Sequence, residues 1–147
     1  MGRSYLFKCP KCGYSLNAEL GMGMADNWLM DKYEKEVKHG DYGPVLQKAV
    51  REEDTFVNTA RVLGVCESCG EYSVFPSLFI CRNEPVDENE DGSSVFESFA
   101  SADHFCVKCG GKVRIIRSDV KDYNDPSPLT CPKCHTEMEE TEYGLWD

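Results

Sequence analysis

Phe7-Lys8-Cys9-Pro10-Lys11-Cys12-Gly13-Tyr14 places two cysteines either side of a two-residue turn, between the short apolar runs Tyr5 to Phe7 and Tyr14 to Leu16. The stretch reads as a β-hairpin whose tight turn aims backbone N–H groups at two sulfurs. A glycine after the second cysteine accepts positive φ at no steric cost. The unit recurs as Cys66-Glu67-Ser68-Cys69-Gly70, as Cys106-Val107-Lys108-Cys109-Gly110 and as Cys131-Pro132-Lys133-Cys134. It uses all of the nine cysteines except Cys81. The fourth unit carries His135 where the others carry Gly13, Gly70 and Gly110. Histidine tolerates the left-handed region better than most residues, so His135 is expected to replace a glycine rather than to bind metal.

Four such knuckles make two tetrahedral four-thiolate sites, a geometry that Zn²⁺ prefers. Cys9, Cys12, Cys66, Cys69, Cys106, Cys109, Cys131 and Cys134 are therefore the expected ligands of two Zn²⁺ ions. Iron in one or both sites is the alternative, because it also accepts four thiolates. Sequential pairing would join Cys9/Cys12 to Cys66/Cys69 and Cys106/Cys109 to Cys131/Cys134. Its second spacing, C-x2-C-x21-C-x2-C, lies just beyond the usual window for such sites and makes sequential pairing the expectation. A nested pairing, Cys66/Cys69 with Cys106/Cys109 and the outer knuckles with each other, is the alternative.

The expected fold is mostly β with a small helical insert, as two modules each built on a four-cysteine site. Module one spans 1–82 and carries a two-helix insert at about 26–54. Asp26 is placed to cap a helix running to about Lys38, with Gly40 beyond its end. Leu29, Tyr33 and Val37, widened by Trp28, form its apolar stripe, expected to bury Trp28 and Tyr33 against the sheet. Pro44 opens a shorter helix whose apolar face is Val45, Leu46, Ala49 and Val50. Strand pattern follows from Phe56 to Val65 and from Tyr72 to Ile80, where Pro76 marks an edge or bulge. Cys81, after Phe79-Ile80, reads as a small buried hydrophobe. Residues 83–95 form an acidic linker. Module two spans 96–147, with a strand from Lys112 to Ile115 and a turn-rich loop from Asp122 to Pro128.

CPKCGY, CESCGE, CVKCGG and CPKCHT resemble the knuckles of the zinc-ribbon, or rubredoxin-like, superfamily, which includes bacterial proteins of no assigned activity. The resemblance implies metal binding and β-hairpin modules. It implies no one activity, since zinc ribbons occur in transcription, translation and replication.

The formal charge is −10, and eight thiolates with two Zn²⁺ make it more negative still. Such a surface repels phosphate backbones on average. The one local exception is Lys108, Lys112, Arg114 and Arg117, flanked by Phe105 and Tyr123, which can stack on bases. The leading functional reading is a structural zinc protein acting as an interaction or adaptor module with a protein partner. A nucleic-acid-binding ribbon using strand 108–117 is the second reading. A rubredoxin-like iron carrier or thiol redox protein is the third. No H-E-x-x-H, P-loop or nucleophile elbow is present, and no catalytic residue is assigned. The N-terminal MGRSYLFKCP lacks a signal-peptide apolar region, and no stretch is long and apolar enough to span a bilayer. With paired cysteines in this pattern, a reducing, cytoplasmic setting is the expectation.

Overall fold

The computed structural model describes residues 2–90, 92, 94–120 and 123–147. Among these residues, eight strands form two antiparallel sheets. The smaller contains β1 (Gly2–Lys8), β2 (Ser15–Leu20) and β8 (Glu139–Trp146) in the order β2-β1-β8. The larger contains β3 (Thr55–Cys66), β4 (Tyr72–Glu88), β5 (Ser94–Ser101), β6 (His104–Phe105) and β7 (Lys112–Arg117) in the order β5-β4-β3-β7-β6. Three short helices, α1 (Met24–Asn27), α2 (Met30–His39) and α3 (Pro44–Ala49), join β2 to β3. The mostly-β fold class with a helical insert is as expected.

Both sheets cross the halves of the sequence. β1 lies between β2 and the C-terminal strand, with Lys8 opposite Glu139 and Gly2 opposite Trp146. β3 lies between β4 and β7, with Cys66 opposite Val113. The acidic stretch expected as a linker is largely hairpin: β4 runs on to Glu88, and Ser94 opens β5 opposite it. Asp91 and Ser93 of that stretch, and Asp122 of the expected loop, lie outside the described residues.

Burial follows this topology. One core cluster gathers Phe7, Ala18, Leu20, Leu63, Ile116, Leu129 and Met138 from both sheets and the C-terminal loop. A second holds Val37, Leu46, Ala49 and Val50 of the insert against Val57, Leu78 and Ile80. The third contains Phe79 and Cys81. Cys81 is buried, as its apolar neighbours suggested, and burial pushes its thiol up to about 11.

The insert departs from expectation in detail. Gly23, not Asp26, is the N-cap; Asp26 reaches back as an acceptor for the Gly23 N–H at 3.0 Å. The helical run then breaks at Trp28 and Leu29 before α2 begins. That break takes Trp28 off the stripe and leaves it 85% exposed, not buried against the sheet, whereas Val37 is buried and Tyr33 half-buried. Gly40 closes α2 in the left-handed conformation, as its position required. α3 begins at Pro44 and buries Leu46 and Ala49, but Val45 faces outward. Pro76 sits opposite Arg61 of β3, while β5 joins β4 only from Phe79 onward. The prolyl nitrogen, lacking a donor, therefore falls where β4 is locally an edge.

Gly64 shows how closely the strands approach at the β3–β7 register shift. A Cβ there would lie 2.5 Å from Val113 Cγ1 and 2.8 Å from Phe75 Cε1. Gly64→Ala should therefore destabilise the fold by about 1–3 kcal/mol through overpacking. A lowered urea midpoint with an unchanged slope is the expected readout; an unchanged midpoint would contradict this packing.

Candidate metal centres

The four knuckles share one backbone design. The first cysteine accepts at its carbonyl from the N–H four residues on: Gly13 to Cys9 at 3.2 Å, Gly70 to Cys66 at 2.9 Å, Gly110 to Cys106 at 2.8 Å and His135 to Cys131 at 2.9 Å. The hairpin closes behind it, with Cys9, Cys66, Cys106 and Cys131 donating to the carbonyls of Tyr14, Glu71, Gly111 and Thr136 at 2.7–2.9 Å. Gly13, Gly70 and Gly110 have φ of 75°, 74° and 74°. His135 has φ of 60° and stands in for the glycine; it belongs to neither cysteine cluster.

Two clusters result, and they are nested. Cys9 and Cys12 meet Cys131 and Cys134; Cys66 and Cys69 meet Cys106 and Cys109. Within each, all four sulfurs lie within 4.8 Å of one another. The cross-knuckle pairs are Cys9–Cys134 at 3.4 Å, Cys12–Cys131 at 3.5 Å, Cys66–Cys109 at 3.4 Å and Cys69–Cys106 at 3.7 Å. Sequential pairing is thus corrected. The reason is strand pairing: β8 returns beside β1 and carries the fourth knuckle to the first, while β7 pairs with β3 and carries the third to the second. Chain length opposes this little. Cys12 and Cys131 are 119 residues apart, yet closing that loop rather than the local one costs only about 1.5 kcal/mol more by the logarithmic rule.

The donor set fits a tetrahedral Zn²⁺. A Zn–S bond of ~2.3 Å implies sulfurs ~3.8 Å apart, close to the spacing observed. Amide hydrogens face the sulfurs: Cys12 N–H to Cys9 Sγ at 3.5 Å, Cys69 N–H to Cys66 Sγ at 3.4 Å, Gly111 N–H to Cys109 Sγ at 3.4 Å and Lys133 N–H to Cys131 Sγ at 3.4 Å. The Cys69 amide, helped by that of Ser68, brings the Cys66 thiol down to about 6. The Thr136 hydroxyl and backbone do the same for Cys134, also to about 6. Cys12 and Cys69 go the other way. Backbone bonds at Tyr14 and Glu71 favour their thiolates, but the crowding sulfurs and burial outweigh them, leaving Cys12 at about 11 and Cys69 at about 12. Four sulfurs at this spacing ionise together only around a cation, and a divalent metal supplies one.

Residues around the clusters pack against them and tie them together, and not all of these carry a signal in the sequence. Gly111 matters for space rather than φ: a Cβ on it would lie 2.5 Å from Ser68 Oγ and 3.0 Å from Cys66 Sγ. The Gly110-Gly111 doublet was its only signal. The Tyr72 hydroxyl donates to the Thr130 carbonyl at 2.7 Å, tying the inner hairpin to the isolated Thr130–Glu137 bridge beside Cys131. Lys133 lies over the Tyr14 ring, 5.8 Å from its centroid, across the outer cluster.

The basic candidates do not converge. Lys108 pairs with Glu71 at 3.4 Å, Lys112 with Asp103 at 3.9 Å and Arg114 with Asp125 at 3.4 Å. Arg117 is buried, donating to the carbonyls of Asp125, of Ile116 at 3.0 Å and of Ser127 at 2.7 Å, with Glu140 3.4 Å away. Phe105 is exposed, but Tyr123 packs on Phe79.

No protein-family model matches the chain, and no curated protein or solved structure is significantly similar to it. What fold and site define together is a mostly-β protein with two four-cysteine clusters compatible with zinc-ribbon-like sites. Among the described residues no helix is long and apolar enough to cross a membrane.

The pairing is testable by counting metal. Cys12→Ser with Cys131→Ser should lose one metal equivalent, the same as either single variant, because both remove ligands from one site. Cys12→Ser with Cys66→Ser should lose two. Elemental analysis of the purified variants distinguishes these outcomes, and the reverse pattern would restore sequential pairing.

Proposed function

We infer that this chain is a structural zinc protein, with Zn²⁺ in both clusters and an interaction surface as its working part. The observation that carries this reading is the closed donor set: among the described residues each cluster offers four cysteine sulfurs within 4.8 Å and no other residue type. A catalytic zinc keeps a position open for water or substrate, and four thiolates fill all of them. The metal here would supply cross-linking rather than Lewis acidity. Cys9, Cys12, Cys131 and Cys134 would hold the chain's two ends together, and Cys66, Cys69, Cys106 and Cys109 would hold β3 to the β6–β7 hairpin.

Energetics favour the same role. A structural Zn²⁺ contributes about 10–16 kcal/mol of apparent binding energy, against a typical total stability of about 5–15 kcal/mol. Each site therefore rivals the whole net stability of a domain this size. What remains for function is the surface, and a partner protein is its natural reader. The nucleic-acid reading draws no support from Lys108, Lys112, Arg114 and Arg117, each of which already has an acidic neighbour in a strongly acidic chain.

Protein purified anaerobically without added metal should carry two zinc ions per chain by native mass spectrometry. A strong chelator, or acid that reprotonates the thiolates, should remove them and unfold the chain together with their release. A red, iron-loaded protein would instead favour electron transfer. A metal-free but folded protein with reactive thiols would favour thiol chemistry and overturn the structural reading.

A further inference from the structure

The smaller sheet stops at β8. On one side β8 pairs with β1; on the other no strand follows, and among the described residues no backbone hydrogen bond leaves it. In an antiparallel ladder an edge strand turns half of its N–H and C=O groups outward. Such an edge is a template for another strand unless something blunts it. Among the described residues the other edges are blunted, including the stretch of β4 beyond the reach of β5, which carries Pro76. β6 has two residues. β2 is drawn toward β3 by the Gly21–Arg61 bridge. β5 equals β8 in length, but its ladder with β4 shifts at three places, which bends the edge. β8 has one shift and pairs without interruption from Glu139 to Glu142. Its side chains from Glu139 to Tyr143 are all exposed, as is Leu145, with Tyr143 at 58% and Leu145 at 61%, while Trp146 is half-buried beneath Arg61.

Charge selects the occupant. Residues 139–147 contain Glu139, Glu140, Glu142 and Asp147 and no lysine or arginine. Arg3 answers Glu142 and Arg117 answers Glu140; Glu139 has no ion-pair partner among the described residues. Antiparallel pairing of two copies would bring both sets of glutamates together on a chain already at −10, which like-charge repulsion opposes. We propose that the outer edge of β8 binds an extended, basic segment of a partner protein as the fourth strand of the smaller sheet. Main-chain hydrogen bonds supply affinity in such strand addition, and alternate side chains supply selectivity. Here lysines or arginines meet the glutamates, and apolar residues lie on Tyr143 and Leu145. The proposal rests on the interaction-module reading and names the partner's chemistry.

The test uses the full zinc-loaded chain and three synthetic peptides matched to the eight residues of β8. One alternates Lys and Val, one alternates Lys and Pro, and one alternates Glu and Val. Lys–Pro has the same charge but lacks half of the strand's donors. Amide NMR should show β8 signals shifting and exchanging more slowly with Lys–Val. Lys–Val should bind at least about tenfold tighter than Lys–Pro, and Glu–Val should not bind. Glu139→Lys should weaken Lys–Val binding while leaving metal content and spectrum otherwise intact. Equal binding by Lys–Pro would mean unspecific charge attraction and overturn the proposal. So would perturbations centred on the β4–β5 hairpin, or concentration-dependent dimers in which β8 is already protected. Metal content measured on the same sample separates this failure from failure of the structural-zinc reading.

Discussion

Four sulfurs in each of two clusters, held 3.4–3.7 Å from their cross-knuckle neighbours, are the constraint on which this structure depends. Neutral thiols gain little from such closeness, and thiolates repel one another. A divalent cation would turn the same arrangement into a cross-link worth about 10–16 kcal/mol per site. The knuckles are built for that state: amides face the sulfurs, and positive φ at Gly13, Gly70, Gly110 and His135 turns the chain tightly around them. The hairpins, the sheets they extend into and the register between the sheets follow from holding these turns together.

Nesting gives the two centres different work. The outer cluster ties the first hairpin to the last strand, so it closes nearly the whole chain. The inner cluster lies within that closure and fixes β3 against the β6–β7 hairpin. Burial differs by degree: in the outer site Cys9 and Cys131 are sealed under Phe7, Leu129 and Met138 and Cys12 is exposed, whereas in the inner site Cys66 alone is buried and Cys69 and Cys109 face solvent. Arg117 links the two regions without metal, holding the loop near Ser127 and reaching Glu140 of β8. It is better described as a buried strut than as a surface cation.

The eight clustered cysteines were legible in the sequence because C-x-x-C is a local pattern with a local mechanism. Their partners were not. Pairing depends on which strands lie side by side, and the x21 spacing favoured proximity along the chain over proximity in the sheets. The same limit explains the acidic segment. Its composition suggested a linker, but β4 and β5 pair through it because backbone hydrogen bonding is indifferent to exposed charge. Trp28 departs for a different reason: its spacing matches one continuous helical stripe, but the helix breaks before Met30. Cys81 and His135 were read correctly because each depended only on near neighbours.

The central claim is the nested arrangement of two four-thiolate metal sites. Replacing the metal with cadmium and correlating each cadmium resonance with cysteine β-protons by NMR tests it most directly. The structure predicts two resonances, one coupled to Cys9, Cys12, Cys131 and Cys134 and the other to Cys66, Cys69, Cys106 and Cys109. Coupling of one cadmium to Cys9, Cys12, Cys66 and Cys69 would contradict the account, as would a chain that folds without binding metal.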